Sequence, residues 1–218
     1  MNDIITLLTK IILPSLWDTL YMIMISAILS TIFGFVLAII LVVTDEKGLK
    51  PNKIVYRLLG SIINILRSVP FIILAVAIIP FTRGIVGTSI GEKAAIVPLT
   101  IAASPFIARL IESSLKEVNP SLVEAAKSFG ASNSQIIFRV LIKEAVPSII
   151  SNLTLAIISI LGLTAMAGAI GAGGLGAVGL TYGYQSFNKT IMYSTVILLI
   201  IVVQIVQFIG NFTYKKLK

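Results

Sequence analysis

The chain has 218 residues, of which 57% are hydrophobic and 12% are charged, and its mean hydropathy is +1.04. A soluble domain carries roughly 25% charged residues, so this chain cannot cover itself with polar surface and the lipid bilayer is its expected solvent. The net charge of +8 is explained by basic residues that flank membrane spans and face anionic lipid, and no nucleic-acid partner is expected. Cysteine and histidine are both absent, so disulfides and histidine catalysis are excluded and no metal site is expected.

Apolar stretches separated by polar turns predict an all-α polytopic membrane protein with five transmembrane helices. The predicted spans are Thr19–Val43, Ile54–Phe81, Ala94–Ile111, Ala145–Ile170 and Ile191–Phe212. The first contains no charged residue over 25 positions, and a helix of that length reaches roughly 37 Å, enough to cross a hydrocarbon core of about 30 Å. The N-terminal sequence MNDIITLLTK does not resemble a cleaved signal peptide, so the first span is expected to stay attached.

Prolines and one charge mark the second and third spans. Arg67 lies inside the second span, where it is either a functional charge or a side chain that snorkels to the cytoplasmic interface. Pro70 is expected to bend this helix, and Pro80 to close it ahead of a short connector. Pro98 and Pro105 free backbone carbonyls that lipid does not tolerate, so we expect the third span to lie in the protein interior.

The distribution of lysine and arginine predicts the orientation. The segments that alternate spans place on one side carry 12 of the 17 basic residues, and the other side carries 4, with Arg67 left inside a span. Because cytoplasmic loops are enriched in basic residues, the C-terminus and the central polar segment are expected in the cytoplasm and the N-terminus outside.

A glycine-rich segment follows the fourth span. Its sequence GAGGLG matches the dinucleotide pattern GxGxxG, but a membrane span precedes it and no acidic residue follows Glu144, so we reject that interpretation. Two interpretations remain: a gate or lining of a translocation path, or close helix packing. The candidate path residues, each of which could equally serve ordinary packing, are Arg67, Met166, Gly171, Gly173, Gly174 and Gly176.

No enzyme site can be assembled from this sequence. The nine acidic residues lie almost entirely in loops, and there is neither a nucleophile–base set nor a phosphate-binding GxxxxGK[ST] loop. We therefore predict a transport subunit that does no bond chemistry and binds no ATP itself. The lack of an acid in mid-span also argues against a proton-coupled carrier.

The longest water-compatible segment, residues 119–147, is predicted to form two short helices joined by a bend. Asn119 and Pro120 are typical of a helix start, Gly130 of a helix end, and Ser132 with Gln135 of a capping box that opens the second helix. Such a projection suits either a groove on a partner protein or the membrane surface.

Glu124, Ala125, Ala126 and Gly130 resemble the EAA loop of binding-protein-dependent ABC importer permeases. The resemblance implies that this loop inserts into a separate ATPase subunit and couples ATP hydrolysis to transport. In the family the motif closes with Leu-Pro thirteen residues after the glycine, whereas this chain has Ile142-Lys143 there and its proline at Pro147. The end of the loop near Lys143–Pro147 is therefore open, and the second helix is expected to run on into span four.

Longer stretches are similar to the methionine uptake permeases within that family: residues 64–112, 165–180 and the following TYGYQSFN. The resemblance covers residues 17–211 of a single permease domain, 1–218. It implies an inner-membrane homodimer that carries two ATPase subunits, which hold the ATP and Mg²⁺. It also implies that an external binding protein delivers methionine, which the homodimer transports by alternating access. The alternatives are an importer of another small amino acid or solute and an ATP-independent carrier or channel.

Overall fold

A computed structural model describes residues 8–217, and the predictions that fall on residues 1–7 and 218 lie outside it. The described residues form helices and connecting turns, so the all-α prediction is confirmed. The helices are α1 (Leu13–Thr44, after a π-helical turn over Leu8–Ile12), α2 (Lys53–Ser68), α3 (Phe71–Ala77), α4 (Ile79–Val86), α5 (Glu92–Lys116), α6 (Pro120–Ser128), α7 (Asn133–Gly168), α8 (Gly174–Val178, continued by a π-helical segment Gly179–Gln185) and α9 (Lys189–Leu217).

The helices α1, α5, α7 and α9 are each long and apolar enough to cross a membrane. The helices α2 and α3, which are bent by 104° at a break between them, are together apolar enough to form a fifth crossing if the pair is one broken span. Five crossings thus agree with the prediction when the bent pair is counted as one span.

The second span departs most from its prediction. The bend lies at Pro70, as expected, but it breaks the helix into separate pieces rather than curving one continuous helix from Ile54 to Phe81. Pro80 does not close the span, because it occupies the first turn of α4, which continues to Val86 and so extends into the predicted connector. Proline lacks the N–H that a first turn leaves unpaired, so it favours a helix start as readily as it ends a preceding helix.

Most other helices are longer than predicted, because their ends extend beyond the uncharged stretches. The prediction that the loop's second helix runs on is confirmed: α7 is continuous from Asn133 through Pro147 to Gly168. The prediction of a glycine-rich connector after span four is wrong in part, since α8 and its π-helical continuation make most of that segment helical.

The core is built around α5, which packs against α1 on one side and α7 on another. Pro98 and Pro105 are both buried, which confirms that this span lies in the interior. Small residues allow the close approach: a Cβ atom on Gly34 of α1 would lie 2.7 Å from Ile107 of α5. In a membrane, such small-residue contacts let helix backbones pack closely.

Hydrogen bonds and ion pairs tie each end of the bundle together. At one end, the turn after α1 meets the end of α5 through Lys116 Nζ and Asp45 Oδ2, 2.7 Å apart. At the other end, the Gly91 N–H donates to the Gly171 carbonyl at 2.9 Å. Successive spans therefore run in opposite directions across the bundle. The helix α6 and the start of α7 lie at the Asp45 end, which we call the basic end.

Candidate functional site

The loop formed by α6 and the start of α7 projects from the basic end. Asn119 caps α6, because its Oδ1 accepts from the Ser121 N–H at 3.0 Å. The side chain of Ser132 accepts from the Gln135 N–H at 3.3 Å, and Gln135 Oε1 accepts from the Ser132 N–H at 2.8 Å. Both predicted caps are thus present, and they fix where the two helices of the loop begin.

Gly130 makes the bend between these helices. Its φ of +76° lies in the left-handed region that side chains disfavour. The Gly130 N–H donates to the Lys127 carbonyl at 2.9 Å, and the Ala131 N–H donates to the Ala126 carbonyl at 3.0 Å. This pair of bonds is a Schellman motif, which ends α6 and reverses the chain.

The surface of the loop is unusually apolar for a water-exposed segment. No residue of α6 is buried: Glu124 and Ala125 are exposed, and Ala126 is half-buried against the core. Phe129 is 92% exposed and Phe138 58% exposed. Exposed aromatic side chains beside polar ones are typical of a protein-binding surface rather than of a solvated turn.

A cleft of about 440 Å³ separates α6 from the turn after α1. Glu124 and Lys127 line it on the loop side, and Asp45 and Lys47 on the side of the turn. The loop is held chiefly through α7, where Ile136 and Leu141 are buried in the core.

A buried charge network beneath the loop was not predicted from the sequence. Glu112 is only 4% exposed and pairs with Arg109 and Lys116, each at 2.8 Å. Lys116 also pairs with Asp45, and this hydrogen bond lowers the pKa of the Asp45 carboxyl below its ordinary value. The spacing of Arg109, Glu112 and Lys116 by three and four residues is a sequence signal for pairing on one helix face. The cross-helix partners carry no such signal.

The same network holds α2 in place. Arg109 Nη2 donates to the Gly60 carbonyl at 3.3 Å and to Asn64 Oδ1 at 3.2 Å, and the Tyr56 hydroxyl donates to Glu112 Oε1 at 3.2 Å. One arginine thus bridges α5 to α2, the helix that ends at the break before Pro70.

The candidate path residues fall into two groups. Arg67 and Met166 are exposed in the middle and outer parts of the bundle. The glycines lie at the end opposite the basic end, where Gly171, Gly173 and Gly174 have positive φ values. A Cβ atom on Gly176 would lie 2.5 Å from Cα of Ala165 in α7, so α8 and α7 touch backbone to backbone. The structure does not bring the glycines and Arg67 into one site.

These features define an integral membrane transport subunit: membrane-length helices, a broken span and a projecting two-helix loop. Residues 42–217 match the family of binding-protein-dependent transport system inner membrane components, and the chain belongs to that family. It is accordingly the permease subunit of an ABC transporter, and it is not itself an enzyme.

Named relatives extend over most of the chain. A probable D-methionine transport system permease protein of Vibrio cholerae is 48% identical over 203 residues, which cover 93% of this chain and 90% of that protein. A methionine import system permease protein of Bacillus subtilis is 43% identical, over 79% of this chain and 78% of that protein. A solved structure of the MetNI methionine ABC transporter in an inward-facing conformation superposes with a TM-score of 0.95 at 43% identity, covering 97% of this chain and 98% of that one.

Proposed function

We propose that this chain is the permease subunit of an ATP-driven importer that carries methionine, in its D and L forms, across the cytoplasmic membrane. The observation that carries the proposal is the similarity to proteins named for methionine transport, which extends over 93% of the chain in the Vibrio cholerae relative. The exposed loop with Glu124, Ala125, Ala126 and Gly130 supplies a coupling element of the kind such an importer needs.

The loop residues have separate roles in this proposal. Gly130 provides the bend, since its φ of +76° is cheap only for glycine. Ala125 and Ala126 have small side chains that let a partner approach the backbone of α6 closely. Glu124 pairs with groups at the rim of the partner. The exposed Phe129 adds an apolar contact at the tip, where burial of an aromatic side chain contributes most to binding.

The working assembly has two copies of this permease and two ATPase subunits, and ATP and Mg²⁺ are held by the ATPases. An external methionine-binding protein delivers substrate to the end of the bundle at Gly91 and Gly171. The excess of basic residues favours an orientation with the basic end and the C-terminus in the cytoplasm and the N-terminus outside. The single permease domain has its core at residues 17–211 and its coupling loop at 119–147.

Transport proceeds by alternating access. ATP closes the two ATPase subunits, the docked loops move with them, and α7 transmits the movement because it is continuous from the loop to Gly168. Arg67 and Met166 line the path in this account. The segment Gly171–Gly176 forms its outer end, where the close contact of Gly176 with Ala165 favours a packing role for the later glycines.

The test is reconstitution of the permease with its ATPase in proteoliposomes, with the binding protein added outside. The proposal predicts methionine accumulation that requires ATP in the lumen. If another amino acid is accumulated and methionine does not compete, the importer for a different solute is the correct alternative. Methionine flux through the permease without the ATPase would instead establish an ATP-independent carrier or channel.

A further inference from the structure

A cleft opens where the second span is broken. It has a volume of about 310 Å³, which falls at the lower end of the roughly 300–1,000 Å³ that ligand pockets occupy. The end of α2, the start of α3, the middle of α5 and the last third of α7 meet there. We call it the Arg67 cleft, and its lining includes Arg67, Phe71, Ala102, Phe106, Ser159 and Leu163.

Arg67 is an exposed side chain that lies beside the middle of α5. Its guanidinium carbon is 5.9 Å from the centroid of the Phe106 ring. Phe106 is about ten residues before Lys116 and about fourteen after Glu92, roughly 15 Å and 21 Å along the axis of α5. Arg67 therefore lies about one helical turn from Arg109, on the bundle side of the charge network at the basic end.

The charge of Arg67 has no carboxylate partner within the described part of the chain. The ion pairs there use Arg109, Lys116 and Lys53, and all of them lie toward the basic end. A guanidinium at membrane depth is costly unless it is paired or faces water. The contact with Phe106 compensates only in part, whereas a carboxylate matches the fork of guanidinium N–H groups with two parallel hydrogen bonds.

The rest of the cleft suits an unbranched apolar side chain. Phe71, Phe106 and Leu163 provide apolar surface, and a thioether packs favourably against aromatic rings. Ser159 is exposed, and its hydroxyl donates to the Leu155 carbonyl at 3.0 Å, which leaves the oxygen lone pairs free to accept from an ammonium group. No lysine lies among the lining residues to compete with Arg67 for an anion.

We propose that the Arg67 cleft is a transient substrate site in the membrane, where Arg67 binds the α-carboxylate of an amino acid in transit. The apolar side chain of the substrate lies against Phe71 and Phe106, and its ammonium group donates to Ser159. This inference rests on the proposed import function and adds a site and a recognition chemistry to it.

The absence of cysteine from the chain permits a direct test in the reconstituted complex with the ATPase. In a Ser159→Cys variant, the only thiol of the permease lies in the cleft, and its rate of alkylation is measured by intact mass. L-methionine at roughly ten times its Kd for the cleft is expected to slow alkylation by about tenfold, because protection follows the occupancy of the site. L-methioninol, which lacks the carboxylate, is expected to give no protection. The matched control is Ser151→Cys, at an exposed position on α7 outside the cleft. Its thiol should be alkylated at the same rate with and without either compound.

The variants of Arg67 complete the test. Arg67→Gln in the Ser159→Cys background should abolish protection and lower methionine uptake by about tenfold, whereas Arg67→Lys should restore part of both. Arg57→Gln, exposed near the start of α2, serves as the charge-removal control and should leave uptake unchanged. Equal protection by methioninol, or unchanged protection and uptake in Arg67→Gln, would overturn the proposal while leaving the importer in place. If the wild-type complex accumulates no methionine, the import function itself fails.

Discussion

Alanine in place of Gly176 tests whether α8 is packed against α7 backbone to backbone. The new Cβ atom would lie 2.5 Å from both Cα and the carbonyl oxygen of Ala165, and neither backbone atom can rotate away. Overpacking of this kind costs about 1–3 kcal/mol. For a chain of this size, each kcal/mol shifts the melting temperature by roughly 2–4 °C, so Gly176→Ala should melt between about 2 and 12 °C lower.

Gly162→Ala provides the matched control. Gly162 lies in α7, a turn before Ala165, and has no heavy atom within 4 Å of the position its Cβ would take. Since alanine is favoured over glycine inside a helix by about 0.5–1 kcal/mol, this variant should melt at the wild-type temperature or slightly higher. Both are measured by thermal unfolding in one detergent at one scan rate. Equal melting temperatures for the two variants would refute the packing argument and favour a loosely held, path-lining role for the glycine segment.

Two further predictions concern the charge network at the basic end. Glu112→Gln should destabilise the protein by about 3 kcal/mol, because Arg109 and Lys116 lose a buried partner. The control is Glu46→Gln, which breaks an exposed pair with Lys53 at 3.1 Å and should change stability by less than about 0.5 kcal/mol. Similar melting temperatures for the two variants would contradict this prediction. The pKa of Asp45 is lowered in the folded state by its bond to Lys116, so its contribution is present above the ordinary carboxyl pKa of 3.8 and is lost as pH falls through the lowered value. The difference in melting temperature between wild type and Asp45→Asn should therefore shrink as pH falls below about 4, and a difference that grows in acid would be inconsistent with this pairing.

The sequence predicted best those features that depend on neighbouring residues. The caps at Asn119 and Ser132 and the bend at Gly130 are local geometry, since each is satisfied by hydrogen bonds that span at most five residues. The continuation of the loop into span four was also predicted, because Lys143 stands where the family has a proline. Local residue chemistry was enough in each case.

Features that depend on distant residues were not predictable from the same patterns. Pro80 was assigned to the end of a span although it lies in the first turn of α4, because proline is compatible with both positions. The network around Glu112 joins residues more than 50 positions apart, such as Tyr56 and Glu112. The position of Arg67 became clear only from its contact with Phe106, and Val69, at the break in the second span, lines the same cleft as Phe106.

The central claim is that the loop over residues 119–147 couples ATP hydrolysis to import, and Gly130→Leu tests it most directly. No heavy atom would lie within 4 Å of a new Cβ at Gly130, so the substitution acts through the backbone, at about 1–2 kcal/mol for a side chain in the left-handed region. Gly130→Asn, which tolerates that conformation, is the control. The measurement is methionine accumulated per ATP hydrolysed in proteoliposomes. Both variants should insert normally, and the ratio should fall by about tenfold for Gly130→Leu and stay near normal for Gly130→Asn. Wild-type coupling in Gly130→Leu would contradict the central claim.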